Sequence, residues 1–357
     1  MKRHILIWAT LVAFSLPFAS ASASPLIADG NHAFEDHSSE NHAKEGLTAI
    51  VLSGASLTST SFKESVLVDA LMDSAILVNA NLEKADLTGA DLSDAVMTKV
   101  KAREALFVDA FMVGADLTSA NLTKADLGGA DLSFAAMAKV KAKEAYFTDA
   151  MMAGVDLAKA NIEKADFEGA DLTYAIVVDA KAKEAGFHGA ILEAAIFTGS
   201  NLTKADFSDA LLDSADLSGT KAKEADFSGA AMQEANLAGA NLEKADFSGA
   251  DLTGAFVTDA KLKEASFREA ILVGATLTGS NVEKADFSDA ILLGADVSRL
   301  TIVAEADFHD ALWNDDTQLH PDMDTSVMIY VPEPGGTLSL VVGVFTLAIL
   351  GRSRSRS

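Results

Sequence analysis

The chain has no cysteine, only five prolines, two tryptophans and three tyrosines, and 28 basic residues against 52 acidic ones, in 357 residues. Without cysteine there are no disulfides, no thiolate zinc sites and no thiol nucleophile. The net charge of −24 argues against direct nucleic-acid binding over most of the surface, because phosphates are bound by clustered Lys and Arg. Long apolar runs are confined to the two ends. Even so, 49 % of residues are hydrophobic and 22 % charged, so a sizeable core is available and whole-chain disorder is excluded. Length alone suggests about two domains.

The ends read as addresses. Lys2 and Arg3 precede an apolar run from Ile5 to Phe18, followed by Ala19-Ser20-Ala21-Ser22-Ala23. That layout predicts a secretory signal peptide over 1–23, cut by signal peptidase after Ala21 or Ala23. At the other end, Val331-Pro332-Glu333-Pro334-Gly335-Gly336 leads into a 14-residue apolar stretch, 337–350, and then Gly351 with the sequence RSRSRS. This stretch is marginal as a bilayer span and its Arg-rich end would stay cytoplasmic. The tail over 331–357 resembles the Pro-Glu-Pro C-terminal sorting signals (PEP-CTERM) of Gram-negative bacteria. That resemblance implies an exosortase-like enzyme recognising Pro332, Glu333 and Pro334, and a transient membrane contact through 337–350.

Between the ends the sequence repeats every five residues as A-(D/N)-L-x-x. With the large apolar residue called i, it falls at 47, 52, 57 and on to 302, giving 52 consecutive units. Leu, Phe, Met, Ile or Val fills i in 48 units, the exceptions being Ala102, Ala142, Ala182 and Ala222; Ala fills i−2 in 41. A period of 5 fits neither a helix at 3.6 nor a strand at 2. Short repeats of this kind form solenoids, in which each coil buries its apolar residues by stacking on its neighbours.

The units resemble the pentapeptide-repeat family. That resemblance implies an all-β, right-handed quadrilateral β-helix of about 13 coils, with four units per coil, i and i−2 inward, and i−1, i+1 and i+2 outward. At roughly 4.8 Å per stacked strand, the rod would be about 60 Å long. The expected organisation is a polar leader or N-terminal cap over 24–44, the β-helix over 45–313, a linker over 314–330 and the sorting signal over 331–357. A one-residue insertion near Val303 shifts the register before Phe308 and Trp313 restart it.

A 20-residue coil sorts the units onto four faces. On the first, position i+2 reads Glu64, Lys84, Glu104, Lys124, Glu144, Lys164, Glu184, Lys204, Glu224, Lys244, Glu264, Lys284. The sign alternates at every coil, so neighbouring rungs attract and a slip of one coil would set like charges together. Outward positions of this face carry +7, and the next three faces −13, −9 and −2. The rod is therefore electrically two-sided. The acidic second face stacks Asp206, Asp226 and Asp246, a solvated surface for which bridging by divalent cations is the alternative. It also places a column of Phe from Phe147 to Phe287 inside, expected as core stacking. Outward apolar residues (Leu71, Phe111, Met151, Ile191 and Ile271 on the third face; Ile76, Ile176, Ile196 and Phe256 on the fourth) form either a contact stripe or scattered exposure.

No catalytic constellation is found. The repeat from 47 to 302 holds one histidine, His188, and no long loop to build a pocket, and no phosphate loop, dinucleotide fingerprint or G-x-S-x-G occurs in a fitting context. His32, His37 and His42 recur at five-residue spacing amid Glu35, Asp36 and Glu40. They are candidate metal ligands, ranked behind a polar leader or degenerate cap, so no metal or cofactor is assigned. The first functional expectation is an exported, non-enzymatic structural or interaction protein of the cell surface or extracellular matrix, starting as a membrane-anchored precursor. It would act through its charged faces on other copies of itself, another surface protein or a polysaccharide. The alternative, implied by members of the same family, is an acidic DNA mimic that inhibits a type II topoisomerase such as gyrase.

Overall fold

The computed structural model describes residues 26–27 and 30–332. The signal-peptide run with Ala21 and Ala23, as well as Glu333, Pro334 and the segment 337–350, lie outside the described residues; Pro332 is described and exposed. No helix among the described residues is long and apolar enough to cross a membrane.

One local motif builds nearly everything. Residue i−1 forms a parallel bridge to the residue twenty positions on, as in Asn81↔Lys101 and Asp86↔Leu106. Residue i turns inward, and the chain then bends through i+1 and i+2 so that the N–H of i+3 reaches the carbonyl of i, as in Ala85 to Leu82 at 3.0 Å. Positive φ at the second central residue alone marks these turns as type II, the form that favours glycine there. Every fifth residue from Phe34 to Gly294 has such a φ, and only sixteen of these are glycine. A side chain in the left-handed region costs about 1–2 kcal/mol, offset by inter-coil hydrogen bonds such as Leu82 N–H to Lys101 O (2.7 Å) and Lys84 N–H to Arg103 O (3.0 Å).

The Asp or Asn at i−1 has a local structural task. Its Oδ1 accepts the backbone N–H of i+1, as in Asp86 with Thr88 (3.1 Å) and Asp116 with Thr118 (2.9 Å). This Asx arrangement supports the bend and explains why the repeat reads A-(D/N)-L. The extended stretch on each side of the prism is so short that the sheet faces consist of isolated bridges. The only strands of two residues among the described residues are β1 (Leu312–Trp313) and β2 (Ile329–Tyr330).

The interior is a largely apolar column. Large residues at i and small ones at i−2 are buried from Leu47 to Val297, including Ala102, Ala142, Ala182 and Ala222. Phenyl rings of Phe147, Phe167, Phe187, Phe207, Phe227, Phe247, Phe267 and Phe287 stack at 4.7–5.0 Å with nearly parallel planes, and Phe308 continues the stack at 4.9 Å. The coil rise dictates that spacing.

Both ends differ in part from expectation. The coil geometry begins at Asn31, bridged to Val51, so of the two alternatives for 24–44, a polar leader or an N-terminal cap, residues 31–44 are ordered coil at the end of the rod and not a leader ahead of it. The apolar criterion hid this, since histidine stands where leucine stands elsewhere. At the far end the inserted residue acts at Ile302, which sits at φ 57 and is exposed, while Val303 turns inward and opens a 3-10 turn, Val303–Glu305. Bridging then resumes as Asp286↔Asp307, Ile291↔Leu312 and Asp296↔Gln318. Residues 314–330 are not a linker. They fold back so that β2 pairs in parallel with β1 (Leu312↔Ile329, Trp313↔Tyr330), and Met323 and Met328 close over the end of the core.

Candidate functional site

On the first face, the alternating column resolves into discrete ion pairs, each lysine to the glutamate of the following coil. Lys84–Glu104 (3.6 Å), Lys124–Glu144 (3.5 Å), Lys164–Glu184 (3.2 Å), Lys204–Glu224 (3.4 Å) and Lys244–Glu264 (3.4 Å) are joined at the ends by Lys44–Glu64 (3.6 Å) and Lys284–Glu305 (3.8 Å). The opposite steps, such as Glu64 to Lys84, make no such pair. A second column at i+1, not singled out in the sequence, does the same with Lys63–Glu83 (3.3 Å), Lys143–Glu163 (3.5 Å), Lys223–Glu243 (3.5 Å) and Lys263–Glu283 (2.6 Å). Arg103 and Lys183 reach sideways to Glu104 (3.0 Å) and Glu184 (3.1 Å). Bonds from Lys183 and then Lys164 hold the Glu184 carboxyl below its ordinary range, and Glu283 raises the Lys263 ammonium.

Pairing leaves a residue of charge. At i−1 of this face Lys101, Lys141, Lys181, Lys221 and Lys261 are exposed and make no ion pair among the described residues. They alternate with asparagines whose Oδ1 atoms are committed to the backbone, for example Asn121 to Thr123 and Asn161 to Glu163. Unpaired cations therefore recur every 40 residues, about 10 Å along the rod.

The profile of pentapeptide repeats (8 copies) matches successive segments over 50–229, 230–268 and 270–300. The chain belongs to the pentapeptide-repeat family. Its rod is thus an all-β, right-handed quadrilateral β-helix, in a family of proteins that are in general non-enzymatic. Among solved structures it is similar to HetL, a pentapeptide repeat protein involved in heterocyst differentiation regulation from the cyanobacterium Nostoc, at 28 % identity over 71 % of this chain and 89 % of that one, TM-score 0.24. It is also similar to QnrB1, a plasmid-mediated fluoroquinolone resistance protein, at 16 % identity over 54 % and 90 %, TM-score 0.26. Rfr23 from the cyanobacterium Cyanothece is 30 % identical over 25 % and 63 %, TM-score 0.18. No curated protein matches the sequence.

The acidic faces of this pentapeptide-repeat protein have a structural explanation before a functional one. The Oδ1 atoms of Asp206, Asp226 and Asp246 accept the backbone N–H of Ser208, Ser228 and Ser248, each at 2.9 Å. On the third face, Leu71, Phe111 and Met151 stand exposed, whereas Ile191 and Ile271 are half-buried; Ile76, Ile176, Ile196 and Phe256 of the fourth are exposed.

His188 lies 2.9 Å from Ser208 Oγ, which in turn donates to Asp206. In a hydrolase the carboxylate orients the far nitrogen of the ring. Here it binds the hydroxyl instead, on an exposed side of the prism, so the trio is no catalytic triad. A shallow depression of about 260 Å³ is lined by Ser248, Gly249, Arg268 and Glu269, and the Ser248 hydroxyl there donates to Asp246, whose Oδ1 also accepts the Ser248 N–H.

The N-terminal coil is the unexpected site. His32, His37 and His42 occupy i and are buried at 4 %, 0 % and 8 % exposure, and Glu35, Glu40 and Glu45 occupy i−2. Together they form a zigzag. His32 Nδ1 and His37 Nε2 lie 3.1 and 3.2 Å from Glu35 Oε2, His37 Nδ1 and His42 Nε2 both 2.9 Å from Glu40 Oε2, and His42 Nδ1 3.0 Å from Glu45 Oε2. Burial by itself raises the Glu40 carboxyl; the bonds to His37 and His42 outweigh it and leave the group below its ordinary range. In sequence the signal was register, because 32, 37 and 42 continue the series 47, 52, 57 backwards.

Proposed function

We propose that this pentapeptide-repeat protein is an exported, non-catalytic structural rod of the cell surface or extracellular matrix of a Gram-negative bacterium, and that rods associate side by side, basic face against acidic face. One observation carries the reading. The unpaired cations Lys101, Lys141, Lys181, Lys221 and Lys261 recur every 40 residues, and on the third face Asp91, Asp131, Asp171 and Asp251 recur in the same period, interrupted at Leu211. The third face is two units from the first, hence opposite it in a four-sided coil. Complementary patches on opposite faces give a heterologous contact that propagates without closing, which suits a surface layer or matrix. Paired charges contribute little to such a contact because they already satisfy each other, whereas the free lysines gain a partner. The signal-peptide layout at 1–23 and the Pro-Glu-Pro tail support export, with signal peptidase and an exosortase-like enzyme as processing partners. The salt dependence of assembly tests the mechanism. Sedimentation should show lateral oligomers that dissociate as NaCl rises, and an oligomer unchanged in about 1 M salt, where the Debye length falls to about 3 Å, refutes it.

A second reading rests on the −13 and −9 faces, which offer a type II topoisomerase such as gyrase a duplex-like acidic rod. The basic face, the uninterrupted coils and the export-like ends weigh against it. Lack of inhibition in a supercoiling assay at micromolar protein removes this reading.

A further inference from the structure

From the N-terminal coil we infer a metal site: His37, Glu40 and His42 bind one divalent transition-metal ion of the zinc class inside the end of the rod. Five ring-nitrogen-to-carboxylate contacts join three histidines and three glutamates. Carboxylates only accept, and a neutral imidazole has one N–H. Three neutral rings supply three of the five bonds, so the network is complete only when it takes up two protons or one divalent metal ion, which at Glu40 replaces both the His37 Nδ1 and the His42 Nε2 contact. Elsewhere the core holds apolar side chains and a few Ser and Thr hydroxyls, so six ionisable side chains gathered at this one coil are an exception to it. The ligand atoms of the trio lie within 4.8 Å of one another. The 2.9 Å N···O separations are slightly shorter than the edge, about 3.3 Å, of a tetrahedron with metal–ligand bonds near 2.0 Å, so a small opening admits the ion.

Of the two overlapping trios, His37–Glu40–His42 is favoured over His32–Glu35–His37. Its contacts are shorter, and both of its rings already have a carboxylate on the far nitrogen: Glu35 at 3.2 Å from His37 Nε2 and Glu45 at 3.0 Å from His42 Nδ1. That outer layer fixes the tautomer and raises the basicity of a metal-ligating imidazole. Two imidazoles with one carboxylate select zinc-like ions over calcium or magnesium, which prefer all-oxygen shells. The backbone holds the rings in place, since Thr60 and Ser65 of the next coil donate to the carbonyls of His37 (2.7 Å) and His42 (2.5 Å), and the His42 ring stacks on Phe62 at 5.6 Å.

Calorimetric titration of the full-length chain, stripped with chelator and kept in excess Ca2+ to occupy surface carboxylates, tests this with Zn2+ as the probe. One Zn2+ should bind per chain. The comparison variant is Glu35→Ala/His37→Leu/Glu40→Ala/His42→Leu, which installs the residues that other coils carry and should keep the circular dichroism and melting behaviour. Its affinity should fall by more than about 100-fold, beyond the loss typical of an outer-layer mutation. His42→Leu alone should weaken binding similarly and His32→Leu should not; Co2+ absorption in the visible gives an independent readout of the same trio. Zinc binding equally well to the four-substitution variant, or no binding by the stripped wild type, overturns the site. Equal losses in His32→Leu and His42→Leu overturn the choice of trio.

Discussion

Lys124→Glu probes the charge column most directly. Lys124 pairs with Glu144 at 3.5 Å, and the previous rung, Glu104, is held by Lys84 at 3.6 Å and Arg103 at 3.0 Å. Reversal removes one attraction and creates two repulsions, with Glu104 below and Glu144 above, one coil rise or about 4.8 Å away. Two unit charges at that distance interact by about 0.9 kcal/mol in a water-like medium, and exposed pairs deliver about 0.2–1 kcal/mol after side-chain entropy and screening. The expected loss is about 1–2 kcal/mol, against at most about 1 for Lys124→Gln, which only removes the pair. The backbone term cancels, since residue 124 sits at φ 60 in every case and none of the three is glycine. Urea unfolding followed by circular dichroism, with hydrogen exchange on the surrounding coils, measures the difference, because repeat arrays need not unfold in one step. In about 1 M NaCl the gap between the two variants should close. A gap that survives high salt, or a Glu variant no weaker than the Gln variant, refutes the electrostatic account of register.

The Phe column gives a second test. Phe207 stacks on Phe187 (4.7 Å) and Phe227 (5.0 Å) and meets Phe197 edge-on (5.7 Å), whereas Phe107 has Leu87 and Leu127 in the neighbouring coils. Phe207→Leu should therefore cost about 1–3 kcal/mol more than Phe107→Leu in chemical unfolding, the aromatic contribution beyond area; equal costs would show that the stack contributes only its volume. Among the turns, Gly154→Ala should destabilise more than Gly189→Ala. Both have φ above +60°, but a Cβ at 154 would sit 2.8 Å from the Phe134 ring and one at 189 meets nothing. Thermal melts of the pair decide, and similar values would mean that only the left-handed backbone matters. For pH, Glu184 is held below its ordinary value in the folded rod. Its stabilisation is then present above the unfolded glutamate value and is lost as pH falls through the lowered folded one. Carboxyl NMR titration should show Glu184 returning towards the ordinary range in Lys183→Gln/Lys164→Gln, and an unmoved titration would disprove the assignment.

Much of this rod is legible along the sequence because the period is strict. Residue i must be large and i−2 small wherever a narrow prism stacks on itself, so Leu82, Phe147 and Ala85 announce their places, and the 20-residue coil follows once the charges at 64, 84 and 104 are seen to alternate. A strict local rule fails where a residue obeys the register but breaks the chemistry. His37 and Glu40 occupy inward positions and are polar by type, and reading polarity as surface hides a part-buried network of buried histidines and half-exposed glutamates, held by the Thr60 bond to the His37 carbonyl and the stacking of His42 on Phe62. The same holds for the C-terminal cap, where Met323 and Met328 follow no repeat and are placed by the exposed end of the core they cover. Pairing was decided in three dimensions too. The sequence by itself sets alternating signs on the column. Which neighbour each lysine chooses, Glu144 and not Glu104 for Lys124, depends on the direction in which a side chain leaves a left-handed turn, and the five-residue register carries no information on that. Composition and spacing thus determine the fold, the faces and their charge, whereas the tertiary structure alone decides which charges are spent on each other, which lysines stay free, and that three histidines and three glutamates meet inside one coil.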